Sequence, residues 1–319
     1  MKIIYVTCCE NGLYGLNYLV SKGYNISEVI TITQEVAEKN KVSGYVDVTE
    51  FCTKLNMNLT KIDNYNIKPE DIKTDKPDLI IVNGWNRLIK SEVISMFTNG
   101  GLGIHAGHPP IGLGRAPLPW NIIKGFRDIE VYVFRLTERA DDGDIVAKQA
   151  VEITPYDDIQ TLYEKVMYQG ACLFEQAILK FKSNTNNFLK QNINYAIYYE
   201  KRSADDGLIN FSDSVESIHN FIRAQSRPYP GAYAYIGEKR WNIWKAIPFD
   251  NHAFRGVNRI PGEIILALPS GIIVQTGSSP LWIISADCNG SKVIPSDLSF
   301  MEKFVGKVFN ERVGRLYSN

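Results

Sequence analysis

Short apolar runs alternate with longer helix-like segments through the first half of the chain. KIIYVT precedes a helical stretch through LYGLNYLVSKG, and ISEVITIT, DLIIVNG and LGIHA are further strand-like runs, with a less regular region after ISEVITIT. This alternation predicts an α/β fold, a Rossmann-like parallel-rich sheet with flanking helices. Ligand sites in such sheets lie beyond the carboxyl ends of strands, and His105 is expected at such an end.

Two more strands and a long helix are expected to complete this domain. After a short helix at PLPWNIIKG, the runs IEVYVFRLT and DIVAKQAVEIT predict strands joined by the turn ERADDG. From Ile159 to Phe181, apolar residues recur at spacings near three, four and seven, which predicts one face of an amphipathic helix. Thr154 is its expected N-cap, with Pro155 at the first position. We therefore expect a first domain over residues 1–183.

The second half of the chain has a different pattern. Residues 184–206 lose periodicity and gain asparagine and charge, which is typical of a linker. VESIHNFIRAQS then predicts a short helix, and glycine and proline turns separate the strand-like runs AYAYIG, RWNIWKAI, GEIILALP, GIIVQTG and LWIISA. Many short strands predict a small barrel or sandwich, and we favour a smaller β-rich, barrel-like (OB-like) C-terminal domain over residues 207–319.

Composition narrows the classes of function. Lys and Arg together number 35, as do Asp and Glu, so no global basic field would attract a polyanion and we expect no nucleic-acid partner, although a local patch would still bind one. The five cysteines show no CxxC pair, which indicates reduced thiols and no metal site. Because we find neither a signal-peptide pattern nor an apolar run of membrane-spanning length, we expect a cytoplasmic chain without membrane association.

One imidazole and one carboxylate form the pair in this chain that is best suited to acid–base catalysis. His105 lies in the run GLGIHAGHPPIGLGRAPLPW, and Asp141 follows 36 residues later in the acidic turn RADDGDIV. A neutral imidazole can take a proton from an attacking amine and return it to a leaving nitrogen, and a neighbouring carboxylate stabilises the protonated ring. The structural alternatives are a satisfied histidine at a strand end and an aspartate that only makes a hairpin turn.

The surroundings of this pair resemble the signature of the folate-dependent formyltransferases. His105, Pro110, Gly114 and Pro117 match its first part, and the run from Asp141 to Ile145 matches its Asp-x-Gly-Asp-Ile segment. NGWNRLIKSEV, residues 83–93, is similar to the pterin-side loop of that family. FIRAQSRPYPGAYAYIG, residues 221–237, is similar to the start of the C-terminal domain in its methionyl-tRNA and nucleotide-sugar members. The resemblance thus extends over most of the chain.

The resemblance implies a reaction and a set of site residues. The catalytic domain would bind N10-formyltetrahydrofolate as co-substrate, and His105 would act as general base and acid with support from Asp141. The implied folate-binding residues are Trp85, Arg87, Leu88, Ile89, Asp141 and Gly143. On the substrate side a guanidinium at Arg115 would bind phosphate or sugar oxygens, and a solvated surface arginine is the equal alternative. Further substrate-side candidates are Gly12, Tyr14, His108 and Arg202.

This chain departs from the family at one position. Most members carry an asparagine two residues before the histidine, whose amide helps to bind the oxyanion of the tetrahedral intermediate, and here that position is Gly103. Protonated His105, His108 or an ordered water would have to replace it, with Asn83 as a more distant fourth donor. We favour His105 with water. Loss of catalysis is the alternative consequence.

The resemblance leaves several acceptors open. The run from Gly114 to Pro117 and Trp120 look closer to the sugar enzymes, so we expect the amine of a UDP- or dTDP-linked amino sugar, in surface polysaccharide biosynthesis. Methionyl-tRNA formyltransferase is the alternative enzyme, but a tRNA requires an excess of Lys and Arg on one face. A folate- or nucleotide-binding module is the alternative without catalysis. A homodimer is compatible with the pattern and not required by it.

Overall fold

A computed structural model describes residues 1–185, 187–254 and 259–311, and the chain divides into two units. The first unit comprises Met1–Pro117, Asp128–Glu152 and Tyr163–Tyr199. The second comprises Leu118–Arg127, Ile153–Leu162 and the chain from Glu200 onward.

A seven-stranded sheet organises the first unit. The strands of this unit are β1 (Ile3–Val6), β2 (Ile26–Ile32), β3 (Leu59–Ile62), β4 (Leu79–Val82), β5 (Gly101–Gly107), β6 (Ile111–Gly114), β7 (Asp128–Arg135), β8 (Ile145–Glu152) and β9 (Ile197–Tyr199). The sheet order is β3-β2-β1-β4-β5-β7-β8, in which β1 to β5 run parallel and β7 and β8 antiparallel. Strands β6 and β9 form a separate parallel pair. The predicted parallel-rich α/β sheet is therefore confirmed.

The central strands are buried along their whole length. All four residues of β1 and of β4 are buried, because strands in the middle of a parallel sheet are covered on both faces. The α-helices between the N-terminus and Lys182 are α1 (Glu10–Ser21), α2 (Gln34–Lys39), α3 (Thr49–Lys54), α4 (Ser91–Ile94), α5 (Pro117–Ile123) and α6 (Ile159–Lys182). The less regular region after β2 thus contains α2, α3 and β3, each too short for a clear period.

The long helix α6 begins at Ile159, later than the predicted N-cap at Thr154. Both the N–H and the hydroxyl of Thr154 donate to Asp157 Oδ2, at 2.7 Å each. Asp158 Oδ1 accepts the N–H of Thr161 at 3.0 Å, which makes Asp158 the cap. The Thr-Pro signal was wrong because two carboxylates downstream offer stronger acceptors.

The second unit is built on an antiparallel sheet. Its elements are α7 (Val215–Arg223), β10 (Ala232–Ile236), β11 (Lys239–Pro248), β12 (Ile264–Leu268), β13 (Gly271–Val274), β14 (Leu281–Cys288), β15 (Ser291–Ile294) and α8 (Leu298–Glu302). The order is β10-β11-β14-β13-β12, with β15 also paired to β14. Alternate side chains of β11, such as Trp241 and Ile243, enter the core, which also receives the apolar face of α7. The predicted β-rich C-terminal domain is confirmed.

Within the described ranges, no helix combines the length and the apolar character that crossing a bilayer requires.

Candidate active site

Strand β5 carries His105 past the end of its parallel neighbour. β5 pairs with β4 at Gly101 and Leu102, whereas its antiparallel pairing with β7 continues as far as Gly107. His105 lies opposite Tyr132 of β7 in this extension. The histidine therefore stands at the edge of the sheet where ligands bind in parallel α/β folds.

Both ring nitrogens of His105 face acceptor oxygens. Nε2 lies 2.9 Å from the backbone oxygen of Gly112, and Nδ1 lies 3.4 Å from Asp141 Oδ2. The side chain is only 9% exposed. A doubly protonated ring offers one N–H to each oxygen, whereas a neutral ring offers only one. The two contacts thus orient the ring, and each offers an acceptor oxygen to an N–H of the doubly protonated form.

The turn that presents Asp141 is constrained from several sides. Asp141 has φ 58°, in the left-handed region that non-glycine residues rarely adopt. Gln191 Nε2 donates to the backbone oxygens of Asp141 and Gly143, at 2.8 and 2.7 Å. A Cβ at Gly143 would lie 1.7 Å from the backbone oxygen of Arg135, so only glycine fits. Strain of this kind persists at functional sites because the surrounding contacts hold it.

Gln191 was missing from the predicted site residues. It belongs to the asparagine-rich segment 184–206, where Leu189 forms a bridge with Ile145 and β9 pairs with β6. In the same region the N–H of Gly114 lies 3.4 Å from Asp141 Oδ2. A glutamine in a polar stretch carries no sequence signal, so only the folded chain identifies its contact with the Asp141 turn.

A side chain at position 103 would have to displace its neighbours. A Cβ at Gly103 would lie 2.8 Å from Phe134 Cζ and 2.9 Å from Leu136 Cδ2. Phe134 is the partner of Gly103 across β5 and β7, and its ring takes the volume that an asparagine side chain would enter. The change from asparagine to glycine is therefore accompanied by aromatic and aliphatic packing.

Two of the alternative donors already make hydrogen bonds. His108 Nε2 lies 3.0 Å from the backbone oxygen of Asp128, at the start of β7. Asn83 is buried, and its Nδ2 donates to the Tyr5 hydroxyl at 3.0 Å and to the backbone oxygen of Asn11 at 3.3 Å. In the free protein, His108 and Asn83 are therefore hydrogen-bonded to backbone oxygens and to the Tyr5 hydroxyl.

The loop after β4 contains the predicted folate-side residues. The indole of Trp85 packs edge-on against Tyr65, at 4.8 Å between centroids, and its buried Nε1 has no hydrogen-bond partner among the residues described. Arg87 donates to Asn40 Oδ1 at 3.1 Å. Ile89 is buried, whereas Leu88 is 54% exposed. The loop thus offers an accessible apolar side chain and a buried indole N–H that no described residue accepts from.

The predicted substrate-side residues fall in different settings. Gly12 packs closely, since a Cβ there would lie 1.8 Å from Thr7 Oγ1, and Tyr14 is half-buried on α1. Arg115 is exposed, and its N–H donates to the backbone oxygen of Tyr199 at 3.2 Å.

Arg202 lies in the second unit. Its guanidinium stands 4.8 Å from the Trp120 ring centre and donates to Gln225 Oε1 at 2.9 Å. Burial lowers the pKa of Arg202 from its ordinary value.

Three predicted groups share one edge of the first sheet. Gly12, Trp85 and His105 come from segments that follow or end β1, β4 and β5, which are adjacent parallel strands. The fold therefore assembles the His105–Asp141 pair beside the loops of two neighbouring strands. Among the residues with described positions, no group of three or more His, Cys, Asp or Glu side chains is placed to hold a metal ion.

Comparisons with known proteins identify the family of the chain. A family model described as formyl transferase matches residues 13–178, and one for the formyl transferase C-terminal domain matches residues 201–302. HypX from Aquifex aeolicus, in complex with tetrahydrofolic acid, is 19% identical with a TM-score of 0.59, over 91% of this chain and 44% of that one. This chain thus spans less than half the length of HypX.

Two further structures match nearly their full length. An N-formyltransferase from Helicobacter canadensis, in complex with folinic acid and dTDP-3-aminofucose, is 17% identical with a TM-score of 0.66, over 89% of this chain and 99% of that one. A methionyl-tRNA formyltransferase from Clostridium thermocellum is 20% identical with a TM-score of 0.53, over 77% and 92%. These likenesses are of fold, while the first family model covers more than half of the sequence. The chain belongs to the formyl transferase family.

Proposed function

We propose that the protein transfers the formyl group of N10-formyltetrahydrofolate to the amine of a UDP- or dTDP-linked amino sugar. The observation that carries this proposal is the 3.4 Å contact between His105 Nδ1 and Asp141 Oδ2 at the ligand-binding edge of the sheet. Amine formylation requires one group that accepts a proton from the nucleophile and delivers one to the leaving nitrogen. An imidazole held by a carboxylate has that capacity.

The proposed reaction has two stages. The amine nitrogen attacks the formyl carbon, the carbonyl oxygen becomes an oxyanion, and His105 accepts the proton that the amine loses. The bond from the formyl carbon to N10 then breaks, N10 receives a proton, and tetrahydrofolate leaves beside the new formamide. Asp141 stabilises the imidazolium between these steps. Holding the two substrates in attack geometry supplies a large part of the rate gain.

The loop of Trp85, Arg87, Leu88 and Ile89 is the proposed folate-binding surface, together with the turn of Asp141 and Gly143. An exposed leucine, and an indole N–H that no described residue pairs, suit a flat heterocycle that also presents hydrogen-bond acceptors. The folate ligands of the HypX and Helicobacter canadensis structures support this choice of formyl donor.

Arg115 is the proposed contact for the nucleotide part of the acceptor. Its exposed guanidinium follows Gly114, whose N–H reaches toward Asp141, so a phosphate bound there would lie on the loop that also contacts the catalytic pair. Gly12, Tyr14 and His108 are the further proposed contacts. The dTDP-3-aminofucose in the Helicobacter canadensis structure supports an amino-sugar acceptor, and the equal numbers of acidic and basic residues disfavour tRNA.

The test is an acceptor screen with purified protein. N10-formyltetrahydrofolate is mixed with UDP- and dTDP-linked amino sugars and, separately, with initiator methionyl-tRNA, and product is measured by tetrahydrofolate absorbance and by mass. We expect a formamide with at least one sugar. Formylated methionyl-tRNA without any sugar product would replace the sugar acceptor with tRNA, the substrate of the Clostridium thermocellum enzyme.

A folate-binding module without catalysis is the second candidate. The observation that favours it is the tight packing at Gly103, where a Cβ would lie 2.8 Å from Phe134 Cζ and 2.9 Å from Leu136 Cδ2, so a side-chain donor would have to displace these neighbours. Measurable folate binding with no product from either class of acceptor would support the module and contradict formyl transfer.

A further inference from the structure

A buried tyrosine hydroxyl lies across the strand pair from His105. Tyr132 is the register partner of His105, its ring centre lies 5.7 Å from the imidazole centre, and its side chain is fully buried. Its hydroxyl has no hydrogen-bond partner within the described part of the chain. Leaving a buried hydroxyl unpaired costs about 1–3 kcal/mol, so its presence requires a compensating reason.

The surroundings keep this hydroxyl protonated. Leu113, Phe134 and Ile145 pack with Tyr132 in one apolar cluster. Burial, and second the negative charge of Asp141, raise the pKa of Tyr132 above its ordinary value. Near neutral pH the group is therefore protonated and able to donate a hydrogen bond.

The face of the sheet that holds His105 needs such a donor. Alternate residues of a strand and their register partners point to the same face, which places Gly103, His105, Tyr132 and Phe134 together. Gly103 contributes no polar side chain, and the Phe134 ring packs against it. An acyl-transfer intermediate carries an oxyanion, and a donor aimed at that oxygen lowers the barrier more than it strengthens ground-state binding.

We propose that Tyr132 is a catalytic residue whose O–H donates a hydrogen bond to the formyl oxygen. This hydrogen bond strengthens as the oxygen becomes an oxyanion. This inference rests on the proposed formyl transfer. Leu113 packs in the same cluster and lies between Gly112 and Gly114, which have φ values of 84° and 90°. Because the hydroxyl is buried, contact with the formyl group requires that side chains of this cluster move, and Leu113 lies in a segment where glycines permit backbone rotation.

The first test is Tyr132→Phe, which removes only the hydroxyl. We expect kcat to fall by about 10²-fold, the cost of losing one oxyanion donor, with unchanged KM for folate and acceptor. The melting temperature should stay equal or rise, because the change removes no hydrogen bond between Tyr132 and the described residues. The matched control is Tyr18→Phe, which removes a hydroxyl that donates to Glu175 Oε2 at 2.8 Å on α6, and its kcat should not change.

The second test needs no acceptor. The infrared carbonyl stretch of bound 10-formyl-5,8-dideazafolate, isotope-labelled at the formyl carbon, reports hydrogen bonding to that oxygen. We expect the band at lower frequency in the wild type than in Tyr132→Phe. An unchanged band overturns the proposal even where kcat falls, since Tyr132 would then act through His105.

The two measurements also separate this inference from the proposed function. A shifted band with unchanged kcat would show a contact in the ground state only, and the catalytic assignment would be wrong while formyl transfer stands. A Tyr132-dependent band in a protein that formylates no acceptor would contradict formyl transfer and the catalytic role together, leaving Tyr132 as a ligand contact. Wild-type turnover with both readouts unchanged in Tyr132→Phe would refute Tyr132 alone.

Discussion

Two clusters of polar and aromatic side chains, one in each unit, use similar residue types in different ways. In the second unit Arg240, Asn242, Trp244 and Asp287 form a row on the outer face of the sheet, which we call the outer row. Arg240 Nε donates to Asn242 Oδ1 at 3.2 Å, Asn242 Nδ2 donates to Asp287 Oδ1 at 3.2 Å, and the Trp244 indole donates to Asp287 Oδ2. These donors and acceptors satisfy one another within the strand pair.

The candidate site of the first unit, taken as His105, Asp141, Tyr132 and the predicted folate-side Trp85, contains donors that no described residue pairs. The Tyr132 hydroxyl and the Trp85 indole N–H are buried without a partner in the described residues, and Asp141 is held at a positive φ. Such arrangements cost stability in the free protein, whereas the outer row adds to it. The comparison teaches that hydrogen-bond satisfaction, more than residue type, separates a structural network from a candidate ligand site.

The largest expected effect is that of His105→Asn. Loss of the proton-handling imidazole should lower kcat by about 10²–10⁴-fold, while folate affinity measured by calorimetry stays nearly unchanged. His252→Asn, an exposed histidine of the second unit, is the control and should keep full activity. Turnover retained in His105→Asn would exclude this residue from the mechanism, and the surroundings of His105 would then be structural like the outer row.

Gln191→Met should have an intermediate effect. Methionine keeps the approximate size of the side chain but loses the two hydrogen bonds to Asp141 and Gly143, so the turn that carries the carboxylate becomes less well positioned. We expect kcat to fall by about 10-fold with unchanged KM for the folate, since displacements near 1 Å already cost up to 10²-fold. Gln149→Met, at an exposed residue of β8, is the matched control. Equal kcat in both variants would show that Gln191 serves only the fold.

Asp287→Ala tests the outer row. It removes the acceptor for Asn242 and Trp244, so the free energy of unfolding in urea should fall by about 1–3 kcal/mol while kcat stays the same. Glu302→Ala, an exposed carboxylate of α8, should leave both quantities unchanged. A loss of activity that the change in stability does not explain would show that the outer row contributes to activity and is more than a structural network.

The smallest expected effect concerns the pH dependence of stability in the second unit. Burial, and second the charge of Arg223, lower the pKa of His219 from 6.5 to about 4. The unfolded chain then binds more protons than the folded chain between these values, so stability should fall as pH decreases from about 6.5 to 4. His219→Gln should flatten the melting temperature against pH across this window by a few degrees. An unchanged slope would exclude His219 as its source.

Sequence patterns predicted the architecture and, within the candidate site, the His105–Asp141 pair, but neither Tyr132 nor Gln191. Alternating apolar runs identified β1, β2, β4 and β5, because parallel strands buried on both faces need continuous apolar residues. The strand-end position of His105, the acidic turn at Asp141 and the family resemblance identified a pair that the structure places in contact. The start of α6 was wrong because local capping signals at Thr154 competed with stronger carboxylate acceptors nearby.

By itself, the sequence determined the alternation of elements, the neutral charge and the family motifs, since each depends on residues close together along the chain. Only the tertiary structure decided what surrounds the motifs. The register of β5 against β7 sets Tyr132 beside His105 and fills the space at Gly103 with Phe134, and the fold brings Gln191 to a turn 50 residues earlier. Burial and hydrogen-bond partners arise from such distant contacts, so a pattern along the chain does not contain them.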